Sequence, residues 1–244
     1  MSREQNWKDV YQALVADLRA ATFPNGSKLP SQRELCQRYM SSRHAVRRAL
    51  KNLEDEGAIS SWQGREAVVV GQPILYRIDR KTRFATCVRE QGRDVKVSVV
   101  RISERERFPA RVAAQLQLAP GSRGAFAEFM HHVDGVPTAL GRHFFNSHRF
   151  PDILHEAAKS QPSVPTAFRN SGVTDYFRSS TLVEVRQPTA PEAMALEIPP
   201  TQSVLNLWGQ NVDERGAPIE VTEAVVRTDT VRLEINAHQV ADLV

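Results

Sequence analysis

The hydrophobic pattern of this 244-residue chain changes its period near residue 72, and that change restricts the fold more than any other feature. Before it, apolar residues recur at spacings of three and four, which is typical of amphipathic helices. After it, alternating runs such as Val95–Val99 indicate β-strands with one buried face. The change coincides with Gly71–Pro73, where glycine and proline interrupt regular structure. The sequence therefore predicts a domain at 1–72, a linker at 73–80 and a second domain at 81–244.

Three short helices are predicted in the first domain. The first helix has an apolar face formed by Trp7, Val10, Tyr11, Leu14 and Leu18. Ser31, with Glu34 three residues later, has the capping-box pattern that opens a second helix. The third helix begins at Ser42 and ends before Gly57, a residue type that is common just after a helix. Two short strands around a turn at Gln63–Arg65 follow, which completes the element order of a winged helix-turn-helix domain.

The cations of the first domain cluster on one face of the third helix. This face carries Arg43, His44, Arg47, Arg48 and Lys51. A helix in this position enters the major groove of DNA, where arginine can pair with O6 and N7 of guanine. Arg33, at the start of the second helix, is placed for a phosphate contact. A merely solvated helix face is the alternative, but the helix order and the hairpin favour DNA binding.

Three segments of this domain resemble the DNA-binding domain of the GntR family of transcription regulators. These segments are Leu29–Leu35, Ser42–Leu50 and Leu53–Ile59. The resemblance implies that Arg33, Arg43 and Arg47 contact DNA and that Gly64 at the wing tip enters the minor groove. The chain has Glu66 where the family usually has a second glycine. The full set of predicted DNA contacts is Arg33, Ser42, Arg43, His44, Arg47, Arg48, Gln63, Gly64 and Arg65.

An internal repeat organises the second domain. Residues 110–137 and 190–218 each contain a short helical pattern, a proline-bearing turn, a strand, a hairpin turn with Asp and Gly, and a second strand. Hairpins place neighbouring strands antiparallel. The repeats therefore predict a pseudo-symmetric domain with an antiparallel sheet, and an α+β fold class for the whole chain. A cleft between two such halves is a common place for a small ligand.

This duplicated unit resembles the effector-binding UTRA domain of the HutC subfamily, which shares the chorismate-lyase fold. The resemblance implies that acid or phosphate groups of an effector are held by Arg83, His131, Arg142 and Glu220. The family commonly has arginines where this chain has Glu128 and His131. Strand alternation sends only one of Arg142 and His143 inward. Because arginine pairs with carboxylate and phosphate oxygens through two parallel hydrogen bonds, the set favours a small anionic effector.

Two neighbouring blocks resemble one branch of this subfamily. Asp79–Phe84 and Arg89–Gly92 are similar to the PhnF-type regulators of phosphonate uptake and breakdown. The resemblance implies a repressor of such genes that is released by a phosphonate or phosphate compound. Other branches answer to urocanate, amino-sugar phosphates or fatty acids, and composition does not separate them. An activator is also compatible with the sequence.

Binding rather than turnover is the expected activity. A chorismate-lyase-like enzyme and an architectural DNA binder are the alternatives, but the sequence has no nucleophile motif, metal cluster or Gly-rich phosphate loop. We therefore expect no catalytic residues, no cofactor and no metal. A homodimer is expected, because operators of this DNA-binding class mirror a protein two-fold axis.

The compartment is also predicted from the sequence. No run approaches the roughly 18 apolar residues of a membrane span, and the first six residues are polar. Cys36 and Cys87 are far apart and lack histidines at metal-ligand spacing, so both are expected to pack as small apolar side chains. These features predict a cytoplasmic protein without a membrane partner.

Overall fold

The computed structural model describes residues 6–61, 67–71, 73–81, 83–159 and 162–235. The N-terminal part contains α1 (Trp7–Arg19), α2 (Gln32–Arg38) and α3 (Arg43–Asp55), then the antiparallel strands β1 (Ile59–Ser60) and β2 (Val68–Val69). This is the predicted winged helix-turn-helix order. The turn predicted at Gln63–Arg65 lies outside the described residues.

The helices of this part begin where their caps predict. The Ser31 hydroxyl accepts a hydrogen bond from the Glu34 amide at 3.4 Å, and the Glu34 carboxylate accepts from the Ser31 amide at 2.8 Å. This reciprocal pair is the predicted capping box. Gly57 follows α3 with φ of +75°, a conformation that glycine adopts without steric cost. The three helices enclose a core that includes Val10, Leu14, Leu35, Val46, Ala49 and Leu53.

The C-terminal part is built on a six-stranded antiparallel sheet. In chain order, the C-terminal part contains β3 (Ile74–Arg77), α4 (Phe84–Glu90), β4 (Val95–Arg107), α5 (Ala110–Gln115), β5 (Arg123–Val133), β6 (Val136–Phe145), α6 (Ile153–Ala157), α7 (Val164–Asn170), β7 (Tyr176–Arg186), α8 (Ala190–Ala195), β8 (Val204–Asp213), β9 (Pro218–Arg227) and β10 (Val231–Glu234). The sheet order is β4-β5-β6-β9-β8-β7. Two units of strand, helix and hairpin therefore meet at the β6–β9 pair, as the internal repeat predicts. The chain is α+β.

The segment 73–80, expected to be a linker, contains strand β3. This strand pairs in parallel with β10, with Ile74 opposite Val231. Ile74 and Tyr76 alternate into a core with Val88 of α4. The apolar alternation of a four-residue strand is short, and its partner lies more than 150 residues away in the chain. That separation explains why the sequence alone does not reveal this pairing, which makes the segment part of the C-terminal fold.

The sheet has two differently covered faces. One, which we term the inner face, packs against α6 and α7 through Phe129, Phe145 and Phe168, and against α4 through Val88. The other, the outer face, packs against α5 and α8 through clusters that contain Phe108, Val112, Phe126, Met130, Leu140 and Ala193. In the described part of the chain, no helix has both the length and the apolar character that crossing a bilayer requires.

The two parts of the molecule touch at the turn between β5 and β6. Arg93 donates to the Asp134 carboxylate with an Nε–Oδ2 distance of 2.6 Å, and to the Val70 carbonyl at 3.3 Å. Gly26, with φ of +76°, lies against the same turn. A Cβ atom there would lie 1.5 Å from the Asp134 carbonyl oxygen, so only glycine fits this approach. The hairpin is thus held against the winged-helix part.

Candidate functional site

The first candidate site is the cationic face of α3. The Ser42 side chain caps the helix by accepting from the Ala45 amide at 3.3 Å. Arg43, His44 and Arg47 follow on the first two turns and are exposed, as is Arg33 on α2. Among the described residues, no carboxylate forms a salt bridge with Arg33, Arg43 or Arg47. These guanidinium groups are therefore available to phosphates and base edges.

Two other cations on this face of α3 have structural partners: Arg48, which belongs to the predicted DNA-contact set, and Lys51, which does not. The Arg48 guanidinium lies 4.2 Å from the centre of the Trp7 ring, a cation–π contact that ties α3 to α1. Lys51 pairs with Asp55 at 2.8 Å. The side chain of Arg48 therefore contacts helix α1 of the same domain. Gln63, Gly64 and Arg65 lie outside the described residues.

The second candidate site is a cavity of about 690 Å³ on the inner face of the sheet. It is bounded by α4 and α7 and by side chains of the central strands β5, β6, β8 and β9. Three of the four predicted effector residues line it, namely Arg83, His131 and Glu220. Its size is within the usual range for small-molecule sites. We term it the inner-face cavity.

Arg83 and Tyr176 form one wall of the inner-face cavity. The Arg83 guanidinium lies 3.8 Å from the centre of the Tyr176 ring, and its Nε donates to the phenolic oxygen at 2.9 Å. Burial raises the pKa of Tyr176 to about 12, so the phenol stays protonated at neutral pH. The contact with Tyr176 thus fixes the position of the Arg83 guanidinium in the cavity wall.

A histidine–carboxylate cluster forms the opposite part of the cavity. Glu220 is 1% exposed, and its Oε1 lies 2.5 Å from Nδ1 of His143. The amide nitrogen of Asn211 donates to the other carboxylate oxygen. Burial, together with the nearby His143, lowers the pKa of His131 to about 3, so its imidazole is neutral at pH 7. His131 can therefore give or accept a hydrogen bond, but it supplies no charge.

The structure does not bring Arg142, the fourth predicted effector residue, to the cavity. Strand alternation directs His143 inward and Arg142 to the outer face, where it binds Glu128 at 2.8 Å, Glu192 at 2.9 Å and Glu223 at 3.0 Å. Although burial opposes its charge, these three carboxylates raise the pKa of Arg142 above its usual value. The guanidinium of Arg142 is therefore engaged in ion pairs with these glutamates on the outer face. His143, the next residue of β6, faces the cavity instead.

Several polar residues of the inner-face cavity were not among the predicted effector residues, and Arg178 and Asn211 are two of them. Arg178 on β7 and Asn211 on β8 both line it and are opposite each other in the strand register. Strand alternation places Tyr176 and Arg178, two residues apart, on the same face of β7. Nothing in the sequence indicates which face of β7 meets the cavity. Arg89, Lys159 and Arg169 add further cations to its lining.

Comparison with known families assigns both parts of the chain. The family described as "Bacterial regulatory proteins, gntR family" matches residues 6–69. The UTRA domain matches residues 90–232, more than half of the chain. The two matches correspond to the winged-helix part and to most of the sheet domain, respectively.

Relatives match this chain over nearly its whole length. The probable transcriptional regulator PhnF of Escherichia coli (strain K12) is 26% identical over 237 residues, which cover 91% of this chain and 92% of that protein. The probable fructoselysine utilization operon transcriptional repressor of the same strain is 23% identical and covers 96% of each chain. The crystal structure of PhnF from Mycobacterium smegmatis aligns with a TM-score of 0.63 at 22% identity, covering 94% of this chain and 99% of that one. This last similarity concerns the fold.

Proposed function

The chain belongs to the bacterial regulators that join a gntR-family DNA-binding domain to a UTRA domain, and from this premise we propose that it is a repressor released by a small anionic effector. The family membership makes it a ligand-responsive DNA-binding transcription regulator. One observation carries the proposal: the chain that exposes arginines on α3 also encloses a cavity lined by Arg83, Arg89 and Arg178.

The DNA-binding part of the proposal rests on the exposed arginines. Arg43 and Arg47 would meet base edges in the major groove, and Arg33 a phosphate. Ser42 and His44 share the same end of α3, and the wing residues Gln63, Gly64 and Arg65 would reach the adjacent groove. We expect a cytoplasmic homodimer on a palindromic operator, because a two-fold protein axis is mirrored by such a site.

The effector part rests on the charge of the inner-face cavity. Its cations favour a ligand with carboxylate, phosphonate or phosphate oxygens. Similarity to proteins named PhnF favours a phosphonate or phosphate compound, and hence control of phosphonate uptake or breakdown. A urocanate or amino-sugar phosphate effector is the alternative. Regulation requires binding and release rather than turnover, so we expect no lyase activity on chorismate.

The proposed mechanism is a shift between two conformations. An effector can change operator affinity only if it binds the two conformations with different affinities. The β5–β6 hairpin provides a physical connection, because His131 faces the cavity and Asp134, three residues later, contacts the winged-helix part. Ligand-induced movement of this hairpin would change how two winged domains are spaced on the half-sites.

Enrichment of a randomised duplex library on the purified protein tests this function. We expect a palindromic sequence to be enriched and to bind more tightly than its scrambled version at the same salt concentration. Inorganic phosphate, methylphosphonate, urocanate and glucosamine 6-phosphate would then be titrated into that complex. Equal affinity for both duplexes would support the architectural binder instead. Conversion of chorismate to 4-hydroxybenzoate and pyruvate would support an enzyme.

A further inference from the structure

One arginine of the inner-face cavity, Arg178, has a buried donor atom without a hydrogen-bond partner. Within the described residues, the guanidinium of Arg178 has no hydrogen-bond or salt-bridge partner, and its Nε atom is completely buried. Other arginines of this domain have partners: Arg83 donates to Tyr176, and Arg142 binds three glutamates. The fully buried Arg227 pairs with Asp229. A buried donor atom without an acceptor is unfavourable unless a ligand supplies one. Arg178 therefore has the property expected of a ligand-binding group.

The strand beneath Arg178 is shaped to receive its guanidinium. A Cβ atom on Gly209 of β8 would lie 1.4 Å from Nη1 and 2.4 Å from Cζ of Arg178. The same atom would lie 2.8 Å from the Thr222 hydroxyl. Glycine weakens a strand interior, and in such a position it often marks a close approach of another group. Only glycine allows the guanidinium to lie against the sheet and remain in the cavity.

A second unsatisfied atom lies beside this arginine. Asn211 is the register partner of Arg178, and its amide nitrogen is engaged with Glu220. Its Oδ1 atom is buried and has no hydrogen-bond donor among the described residues. The cavity therefore presents a cationic donor and a neutral acceptor on adjacent strands. A ligand that satisfies both must carry acceptor oxygens and, close to them, an N–H or O–H group.

We propose that Arg178 is the anion-binding residue of the inner-face cavity and that Asn211 selects ligands with a hydrogen-bond donor next to the anionic group. This inference rests on the proposed effector-binding function and specifies its ligand class: a small hydroxylated or amino-substituted phosphate, phosphonate or carboxylate. The neutral state of His131 is consistent with this role, because His131 then supplies no charge to an anion in the cavity. Among the described arginines that line the cavity, Arg178 has a buried Nε atom that no hydrogen-bond acceptor meets.

Titration calorimetry with inorganic phosphate at constant ionic strength tests the arginine. We expect saturable binding to the full-length protein and a roughly 10- to 100-fold weaker affinity in Arg178→Gln, because charge-assisted hydrogen bonds are lost. Gly209→Ala should cause a similar loss by displacing the guanidinium. Arg101→Gln is the matched control, since it removes an exposed cation that pairs with Glu106 outside the cavity. That variant should bind phosphate like the unmodified protein.

Melting temperature without ligand separates this role from a structural one. Because Arg178 has no protein partner, Arg178→Gln should melt no lower than the unmodified protein, whereas loss of a structural arginine would lower the melting temperature. Unchanged phosphate affinity in both Arg178→Gln and Gly209→Ala, or absence of saturable phosphate binding to the unmodified protein, would overturn the proposal.

The donor preference has its own test. The unmodified protein should bind 2-aminoethylphosphonate more tightly than ethylphosphonate, which lacks the donor but has the same phosphonate. Equal affinities, or a preference for ethylphosphonate, would overturn the role of Asn211. The regulatory proposal can fail independently of the anion site. If phosphate binds through Arg178 but leaves operator affinity unchanged, the anion site is supported and release of the operator by the effector is contradicted.

Discussion

At the scale of single residues, the structure divides the arginines of α3 into two groups. Arg43 and Arg47 are exposed, so replacing either by alanine should weaken operator binding by about 1–3 kcal/mol and leave phosphate binding unchanged. Fluorescence anisotropy with the enriched operator and with its scrambled version measures this loss. If neither substitution alters operator affinity, α3 is not the recognition helix.

Arg48 belongs to the second group, although it is in the same helix. Because its guanidinium stacks on Trp7, Arg48→Ala should lower the free energy of unfolding by about 0.5–1 kcal/mol, which urea denaturation measures. Arg47→Ala is the matched control and should change stability by less than that. A loss of stability in Arg47→Ala equal to that in Arg48→Ala would contradict the stacking assignment.

Sequence reasoning predicts the exposed arginines but not their contacts. Helical period places Arg43, Arg47 and Arg48 outward, whereas the Trp7 contact of Arg48 depends on how α1 packs against α3. In the same way, strand alternation separates Arg142 from His143, yet only the pairing of β6 with β5 and β9 determines which of them faces the cavity. Periodicity shows which residues of an element share a face, and tertiary packing determines what each face contacts.

At the scale of elements, an ion cluster joins α8 to the outer face of the sheet. Glu192 of α8 is 2% exposed and binds Arg186 at 2.7 Å and Arg142 at 2.9 Å. Although burial opposes its charge, these arginines lower the pKa of Glu192 from 4.5 to about 2. A carboxyl group with a lower pKa in the folded state stabilises the fold above its unfolded pKa and loses this contribution as pH falls.

The resulting prediction concerns acid stability. Between pH 5 and about pH 2, the free energy of unfolding should decrease by roughly 3 kcal/mol through Glu192 alone. In Glu192→Gln this part of the pH dependence should disappear, with lower stability at neutral pH. Denaturation at a series of pH values measures it. The exposed Glu184→Gln variant should keep the original slope, and an unchanged slope in Glu192→Gln would exclude this carboxylate as its source.

The elements themselves are predictable to different degrees. Caps and apolar period define the three N-terminal helices, and the internal repeat predicts the order α5–β5–β6 and its copy α8–β8–β9. Strand β3 is not predicted because its stability comes from parallel pairing with β10, a contact between distant parts of the chain. Helix caps and apolar periodicity can be found in a short stretch of sequence, whereas a pairing between distant strands cannot.

At the scale of the whole molecule, the β5–β6 hairpin connects the inner-face cavity to the winged-helix part. Arg93 donates both to the Asp134 carboxylate of this hairpin and to the Val70 carbonyl of the winged-helix part, and Arg93→Gln removes this bridge. Allosteric coupling commonly changes affinity by about 5- to 150-fold. We expect Arg93→Gln to reduce the phosphate-dependent change in operator affinity to less than about 3-fold, while phosphate affinity without DNA stays the same. Anisotropy titrations with and without phosphate measure both quantities.

A second variant tests the same contact without changing charge. Gly26→Ala places a methyl group where the Asp134 carbonyl lies, so the hairpin and the winged-helix part must separate, and coupling should fall as in Arg93→Gln. Arg77→Gln is the matched control, because it breaks an exposed ion pair with Glu234 on β10, away from the hairpin. Coupling that persists in both hairpin variants would show that the signal travels by another route, such as β3. If coupling is lost in both hairpin variants while each variant still binds phosphate and the operator, the hairpin is the element that joins the two sites.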